Sequence, residues 1–366
     1  MMIEKYFNNY INNFDPAKKW TYEAACVLLG AIQLYEATNK PLYLDFAKEY
    51  IDTCLDSEGN IIGGYKLEDF NLDNIKMGSV LLYLYEKLKE DKYHKAIEIL
   101  LYQLKDQPRT ESNNFWHKKI YPNQVWLDGL YMAMPFYVAY ETKYHGKENY
   151  LDIFGQYQNV RKNLFDKDKR LYYHAFDESR QAPWANKETG LSQNFWLRAM
   201  GWYLVSLIDV LDEISIEIYE QYNGYKVLFK EAIAGILQYQ DKESKLFYQV
   251  IDRPEADGNY LETSGSAMIA YAILKGCRLG ILQEEKYRSI GEGILNSIIE
   301  NRLVKKDEGH QLTGICEVAG LGPGKERDGS LAYYFSEPIV SDDPKGVGAF
   351  IMAYAQYLML KEESIW

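Results

Sequence analysis

The chain has 366 residues, with 41 Lys and Arg against 53 Asp and Glu, giving a formal net charge of −12. That acidity supplies no global attraction to polyphosphate, which argues against a nucleic-acid partner. Hydrophobic residues at 47% and charged residues at 26% are those of a globular protein and exclude bulk disorder, and no apolar run is long enough for a membrane span.

The first segment, 2–14, predicts an outer amphipathic helix. It has no basic stretch followed by an apolar run, so no signal peptide is expected. WTYEAACVLLGAIQLY (20–35) is apolar and rich in small residues, which predicts a buried helix. An amphipathic stretch follows at 42–55, then KMGSVLLYLYEKL (76–88), apolar nearly all round. DKYHKAIEILLYQLK (91–105) places Ala96, Ile97, Leu100, Leu101 and Leu104 on one stripe, an outer helix. The alternation continues with buried helices at 126–140, 195–211, 264–280 and 344–360. Outer helices are predicted around 147–165, 216–239 and 284–301. LYYHAF (171–176) and LFYQVI (246–251) alternate with period two and predict strands in rim hairpins.

Six buried and six outer helices predict an all-α fold, an (α/α)6 six-hairpin toroid, in a single domain spanning 1–366. The competing architecture is an open superhelix of helical hairpins. Trp20, Asp73, Asp128, Arg198, Glu262 and Lys345 are separated by 53, 55, 70, 64 and 83 residues, unlike the short fixed period of a solenoid. Cys26, Cys54, Cys277 and Cys316 lie far apart without CxxC spacing. They are expected to be free thiols in a reducing compartment, the cytoplasm.

Each buried helix opens with polar and aromatic residues. If the inner helices run parallel, their N-termini converge on one mouth, where free N–H groups favour anionic ligands. Helix capping accounts for Asp73 or Asn74. It does not account for Trp126, Trp196, Trp202 and Arg198, which this reading places one turn inside their helices. Five histidines show no HExxH, and there is no P-loop and no GxSxG; no metal or cofactor is expected. The chain holds 33 Tyr, and aromatic faces suit sugar rings. A carboxylate site with aromatics and a few cations fits sugar chemistry by proton transfer.

QVWLDGLYMAMPF (124–136), WANKETGLSQNFWLRAMGW (184–202), QVIDRPEADGNYLETSGSAM (249–268) and RDGSLAYYFSEPIVSDDPKGVGAF (327–350) resemble the unsaturated rhamnogalacturonyl hydrolases, glycoside hydrolase family 105. The resemblance runs over nearly the whole chain and implies the six-hairpin α/α barrel. It implies a substrate carrying a C4=C5 unsaturated galacturonate at its non-reducing end, linked to rhamnose. It assigns Asp128 as the general acid that protonates C4, with water adding at C5, and places Asp73 at the site. On this assignment Asp128 needs a raised proton affinity, expected from desolvation by Trp126 and repulsion by Asp73. Arg198 is the expected carboxylate clamp. His117 and Lys118 match the family's substrate loop, and His174 stands where the family has a site histidine. Trp196, Trp202 and Tyr22 are expected ring contacts, with Tyr333 and Tyr334 in a rim loop.

Two enzymatic alternatives remain open: an unsaturated glucuronyl hydrolase of the related family 88, or a conventional inverting glycosidase using two carboxylates. A non-catalytic helical scaffold is the third class. The expected partner is an unsaturated oligosaccharide, with no nucleic acid and no membrane, and the chain is expected to be a monomer or a weak homo-oligomer.

Overall fold

The computed structural model describes residues 2–14, 19–307 and 309–363. The helices in chain order are α1 (Met2–Asn12), α2 (Tyr22–Thr38), α3 (Pro41–Cys54), α4 (Met77–Leu88), α5 (Asp91–Asp106), α6 (Leu127–Tyr144) and α7 (Tyr150–Leu164). They continue with α8 (Leu197–Glu213), α9 (Tyr219–Ile236), α10 (Thr263–Arg278), α11 (Glu284–Asn301), α12 (Leu331–Ser336) and α13 (Pro344–Glu363).

The inner ring is closed. α2 packs on α4, α4 on α6, α6 on α8, α8 on α10, α10 on α13, and α13 returns to α2. α3, α5, α7, α9 and α11 back α2, α4, α6, α8 and α10. α1 supplies the sixth outer helix. It turns Ile3, Tyr6, Phe7 and Ile11 inward, with the Tyr6 ring 6.4 Å from Phe350 of α13 and the Phe7 ring 6.0 Å from Tyr43 of α3. This is the predicted six-hairpin α/α toroid.

Position in the ring follows from side-chain pattern. α10 is buried without interruption from Thr263 to Cys277, as a helix flanked on all sides requires. α5 buries only Tyr93, Ala96, Ile97, Leu100, Gln103 and Leu104, one stripe. Small residues set the closest approach: a Cβ on Gly348 of α13 would overlap the backbone carbonyl of Cys26 in α2. Thr21 caps α2 by accepting from Ala24 N at 3.3 Å, and Asn39 ends the helix in the left-handed region at φ 54°. Pro135 sits inside α6 and offers no N–H to the carbonyl of Tyr131. Lys76, only 1% exposed, donates to that carbonyl at 3.4 Å, and burial lowers its ammonium pKa to about 8.

Five short two-stranded antiparallel sheets decorate the rim. β1 (Gln124–Trp126), β2 (Phe165–Asp166), β3 (Leu171–Tyr172) and β4 (Ala175–Asp177) pair as β1–β4 and β2–β3. β5 (Phe247–Tyr248) pairs with β6 (Leu261–Glu262), β7 (Leu303–Lys306) with β8 (Gly309–Leu312), and β9 (Ile315–Cys316) with β10 (Ile339–Val340). The predicted run 171–176 is thus split between two sheets, of which only β2–β3 is a hairpin, and within 246–251 only Phe247–Tyr248 forms a strand. Tyr333 and Tyr334 lie in α12, whose N-cap Ser330 accepts from Tyr333 N, and not in a rim loop as expected. Six residues are too few to show a periodicity. The four cysteines are buried and unpaired. Among the described residues no helix is long and apolar enough to cross a membrane.

Candidate active site

The first turns of α2, α6 and α8 and the 3₁₀ turn before α4 (Leu72–Lys76) meet around a cavity of about 210 Å³. The inner helices therefore do run parallel, with N-termini toward this mouth. Asp128 enters from the first turn of α6, one residue after the helix begins. Trp126 is the N-cap of α6 and Trp196 the N-cap of α8, so both stand at the helix entrance and not one turn inside. The extended backbone of a cap residue lets a bulky ring turn into the cavity.

The antiparallel β1–β4 pair aligns the deep wall. Trp126 pairs with Ala175, and Leu127 N donates to the carbonyl of His174 at 3.2 Å. This register sets His174 Nε2 3.5 Å from Asp128 Oδ2. On its other side, His174 Nδ1 shares a 2.8 Å hydrogen bond with the Tyr334 hydroxyl. The His117 backbone N–H donates to Gln124 O at 2.9 Å, and the His117 and Tyr121 rings both stack on Trp126, at 4.6 and 5.3 Å.

Opposite, Asn71 Oδ1 accepts from Asp73 N at 3.0 Å and fixes the 3₁₀ turn. Lys118 Nζ lies 2.6 Å from Asp73 Oδ2, and His117 Nε2 lies 3.4 Å from Oδ1. Arg198, 2% exposed, stacks over Trp196 at 4.8 Å. Its donors reach Ser264 Oγ at 3.3 Å, Glu317 O at 3.2 Å and the carbonyl of Cys316. Glu262 caps α10 and accepts from Cys316 N at 3.1 Å, so Arg198 and Glu262 grip β9 together. Trp202 stacks on Tyr131 at 4.5 Å.

Burial pushes the Asp128 carboxyl upward, but the hydrogen-bonding and charge of His174, then the charge of His117, outweigh it. The net shift is below the usual carboxylate range. This reverses the expected raised affinity, because two imidazoles, His174 and His117, face Asp128. Burial pushes His117 down to about 4. Burial also lowers the proton affinity of Lys118, and Asp73 more than restores it. Glu23, from the first turn of α2, is raised by burial.

Tyr22, Asp73, His117, Lys118, Trp126, Asp128, Trp196, Arg198 and Trp202 all line the cavity. His174, Tyr333 and Tyr334 do not: His174 and Tyr334 stand behind the wall, and the Tyr333 hydroxyl donates to Gly320 O at 2.6 Å. Sequence reasoning passed over Glu23, Tyr121, Met132, Val318, Ala319, Gly320 and Arg327, which also line it. The signals were adjacent: Glu23 follows Tyr22, and Arg327 opens the RDGS motif. A larger cavity of about 400 Å³ lies at the opposite mouth. There Lys275 meets Asp209 at 2.8 Å and Asp212 at 2.9 Å, charges that largely satisfy one another.

The model of Glycosyl Hydrolase Family 88 matches residues 1–361. The chain belongs to this family. A solved Clostridium acetobutylicum glycoside hydrolase from family 105 is 42% identical, with a TM-score of 0.93 over 98% of this chain and 99% of that one. Family membership and the closed α/α ring agree with the motifs read from the sequence, and make the chain a glycoside hydrolase. Protein Atu3128 of Agrobacterium fabrum is 40% identical over 240 residues, 63% of this chain and 99% of that protein. The unsaturated rhamnogalacturonyl hydrolase YesR of Bacillus subtilis is 25% identical over 324 residues, covering 83% and 87% of the two chains.

Proposed function

We propose that the protein removes a C4=C5 unsaturated galacturonyl residue from the non-reducing end of rhamnogalacturonan oligosaccharides, with Asp128 as the acid. The observation that carries this reading is the unequal state of two cavity carboxylates. Asp73 is tied to Lys118. Asp128 is buried, with its Oδ2 3.5 Å from His174 Nε2. The likeness to YesR supports the rhamnogalacturonan side.

Asp128 gives its proton to C4 of the enol ether. The positive charge left on C5 is stabilised by the ring oxygen, and water adds there. The water's proton returns to Asp128. Opening of the C5–O bond yields a ketone and leaves C1 as a hemiacetal, which expels the partner sugar. The surroundings of Asp128 lower its proton affinity, so the substrate assists protonation: a uronate carboxylate beside Asp128 raises that affinity. Tyr22, Trp196 and Trp202 serve as ring platforms, and Lys118, 2.6 Å from Asp73 Oδ2, fixes that carboxyl where it can orient a hydroxyl or the water.

A two-carboxylate inversion is the second reading, because Glu23 lines the same cavity with a raised proton affinity. The test is incubation with lyase-digested and with saturated rhamnogalacturonan oligomers, in heavy-oxygen water. Loss of the ultraviolet band of the C4=C5 bond, with label at C5, is expected. Cleavage of saturated oligomers alone, with label at C1, overturns the hydration chemistry.

A further inference from the structure

Arg327 is exposed at the cavity rim, and among the described residues its guanidinium has no carboxylate or hydrogen-bond partner. The two deeper cations are engaged, Lys118 by Asp73 and Arg198 by Ser264 and the carbonyls of Cys316 and Glu317. The arginine nevertheless sits in a prepared place. Gly322 N donates to Arg327 O at 3.2 Å. A Cβ on Gly322 would stand 3.0 Å from Arg327 Cβ, and one on Gly320 would stand 3.5 Å from its Nη1 and 3.7 Å from the Trp126 ring. The stem and head group thus use room that two glycines leave open, against the same patch as the indole. The loop is pinned on both sides: Tyr333 OH holds Gly320 O at 2.6 Å, Gln193 Nε2 holds Asp328 O at 3.0 Å, and Asn194 Nδ2 holds Gly329 O at 2.7 Å.

We infer that Arg327 forms a rim subsite for a second acidic sugar, carried by the part of the saccharide that is released. The inference rests on the function proposed above. A cavity of about 210 Å³ takes the reacting ring and little more, so the rest of the chain must cross the rim. In a backbone alternating rhamnose and galacturonate, the next carboxylate is on the second sugar past the bond being broken. A planar guanidinium on a pinned loop meets such a carboxylate with paired donors. It also supplies a local attraction that a chain of net charge −12 otherwise lacks.

The test compares three lyase products: the neutral-ended unsaturated uronyl–rhamnose disaccharide, the tetrasaccharide with an internal galacturonate, and that tetrasaccharide methyl-esterified at the internal acid. Wild type should favour the free-acid tetrasaccharide over its ester. Arg327→Ala should lose roughly tenfold in kcat/KM on the free acid, the scale of one charge-assisted contact, and less than about twofold on the other two. Arg327→Lys should recover part of the loss. Calorimetric binding to the Asp128→Asn variant repeats the comparison without turnover. Equal binding of free acid and ester, with and without Arg327, overturns the subsite. Absence of turnover on every unsaturated uronide, with the binding preference intact, overturns the proposed chemistry and leaves the subsite standing.

Discussion

At the scale of single residues, Asp128 is controlled by what faces it and not by its own motif. Asp128→Asn keeps the shape and removes the proton, so turnover should fall at least about a hundredfold while substrate binding persists, as kinetics and calorimetry can check. Its lowered proton affinity also fixes a pH direction. With Asp128 as the proposed acid, its protonated form is the working one, so kcat/KM should rise as pH falls from neutrality toward the depressed value. kcat should hold to higher pH than kcat/KM, because bound uronate raises the same group. A kcat/KM that increases with pH through this window would sink Asp128 as the acid. Arg198 is a different case. Its donors hold Ser264 and two carbonyls more than a hundred residues away, so Arg198→Ala should cost on the order of 3 kcal/mol of stability as well as activity. A denaturant midpoint unchanged by that substitution would return Arg198 to a purely substrate-binding role. The W-L-D-G-L motif made Asp128 legible in the sequence. Its proton affinity was not, because His174 reaches it only through the β1–β4 register.

At the scale of elements, contrast between helices is what made the fold readable. α10 is buried on every side and α5 on one stripe, so inner and outer positions announce themselves. The rim does not, since strands of two residues and a helix of six carry too little periodicity. Glycines give this scale a test of opposite signs. Gly348 in α13 abuts the backbone of Cys26 in α2, so Gly348→Ala should destabilise by about 1–3 kcal/mol as the helices part. Gly293 in α11 has nothing within 4 Å of a built Cβ, so Gly293→Ala should stabilise by roughly 0.5–1 kcal/mol. Urea melts that gave both substitutions the same sign would refute the packing argument.

At the scale of the whole molecule, the ring is completed by elements from opposite ends of the described chain. α1 buries Ile3, Tyr6, Phe7 and Ile11, and the Tyr6 hydroxyl donates to Asp342 Oδ1 at 2.6 Å, across a sequence separation of 336 residues. Four such side chains at roughly 1.5–3 kcal/mol each rival the entire stability of a typical domain, about 5–15 kcal/mol. Removing residues 2–14 should therefore abolish the cooperative thermal transition, and a truncated chain melting like the intact one would show that α1 is dispensable. The arrangement also has a consequence during synthesis. A ribosome adds about 5–20 residues per second, so α1 waits roughly twenty seconds to a minute before α13 is made. For that interval its greasy face is available to chaperones and to neighbouring nascent chains, and α13 is the latch that ends the exposure.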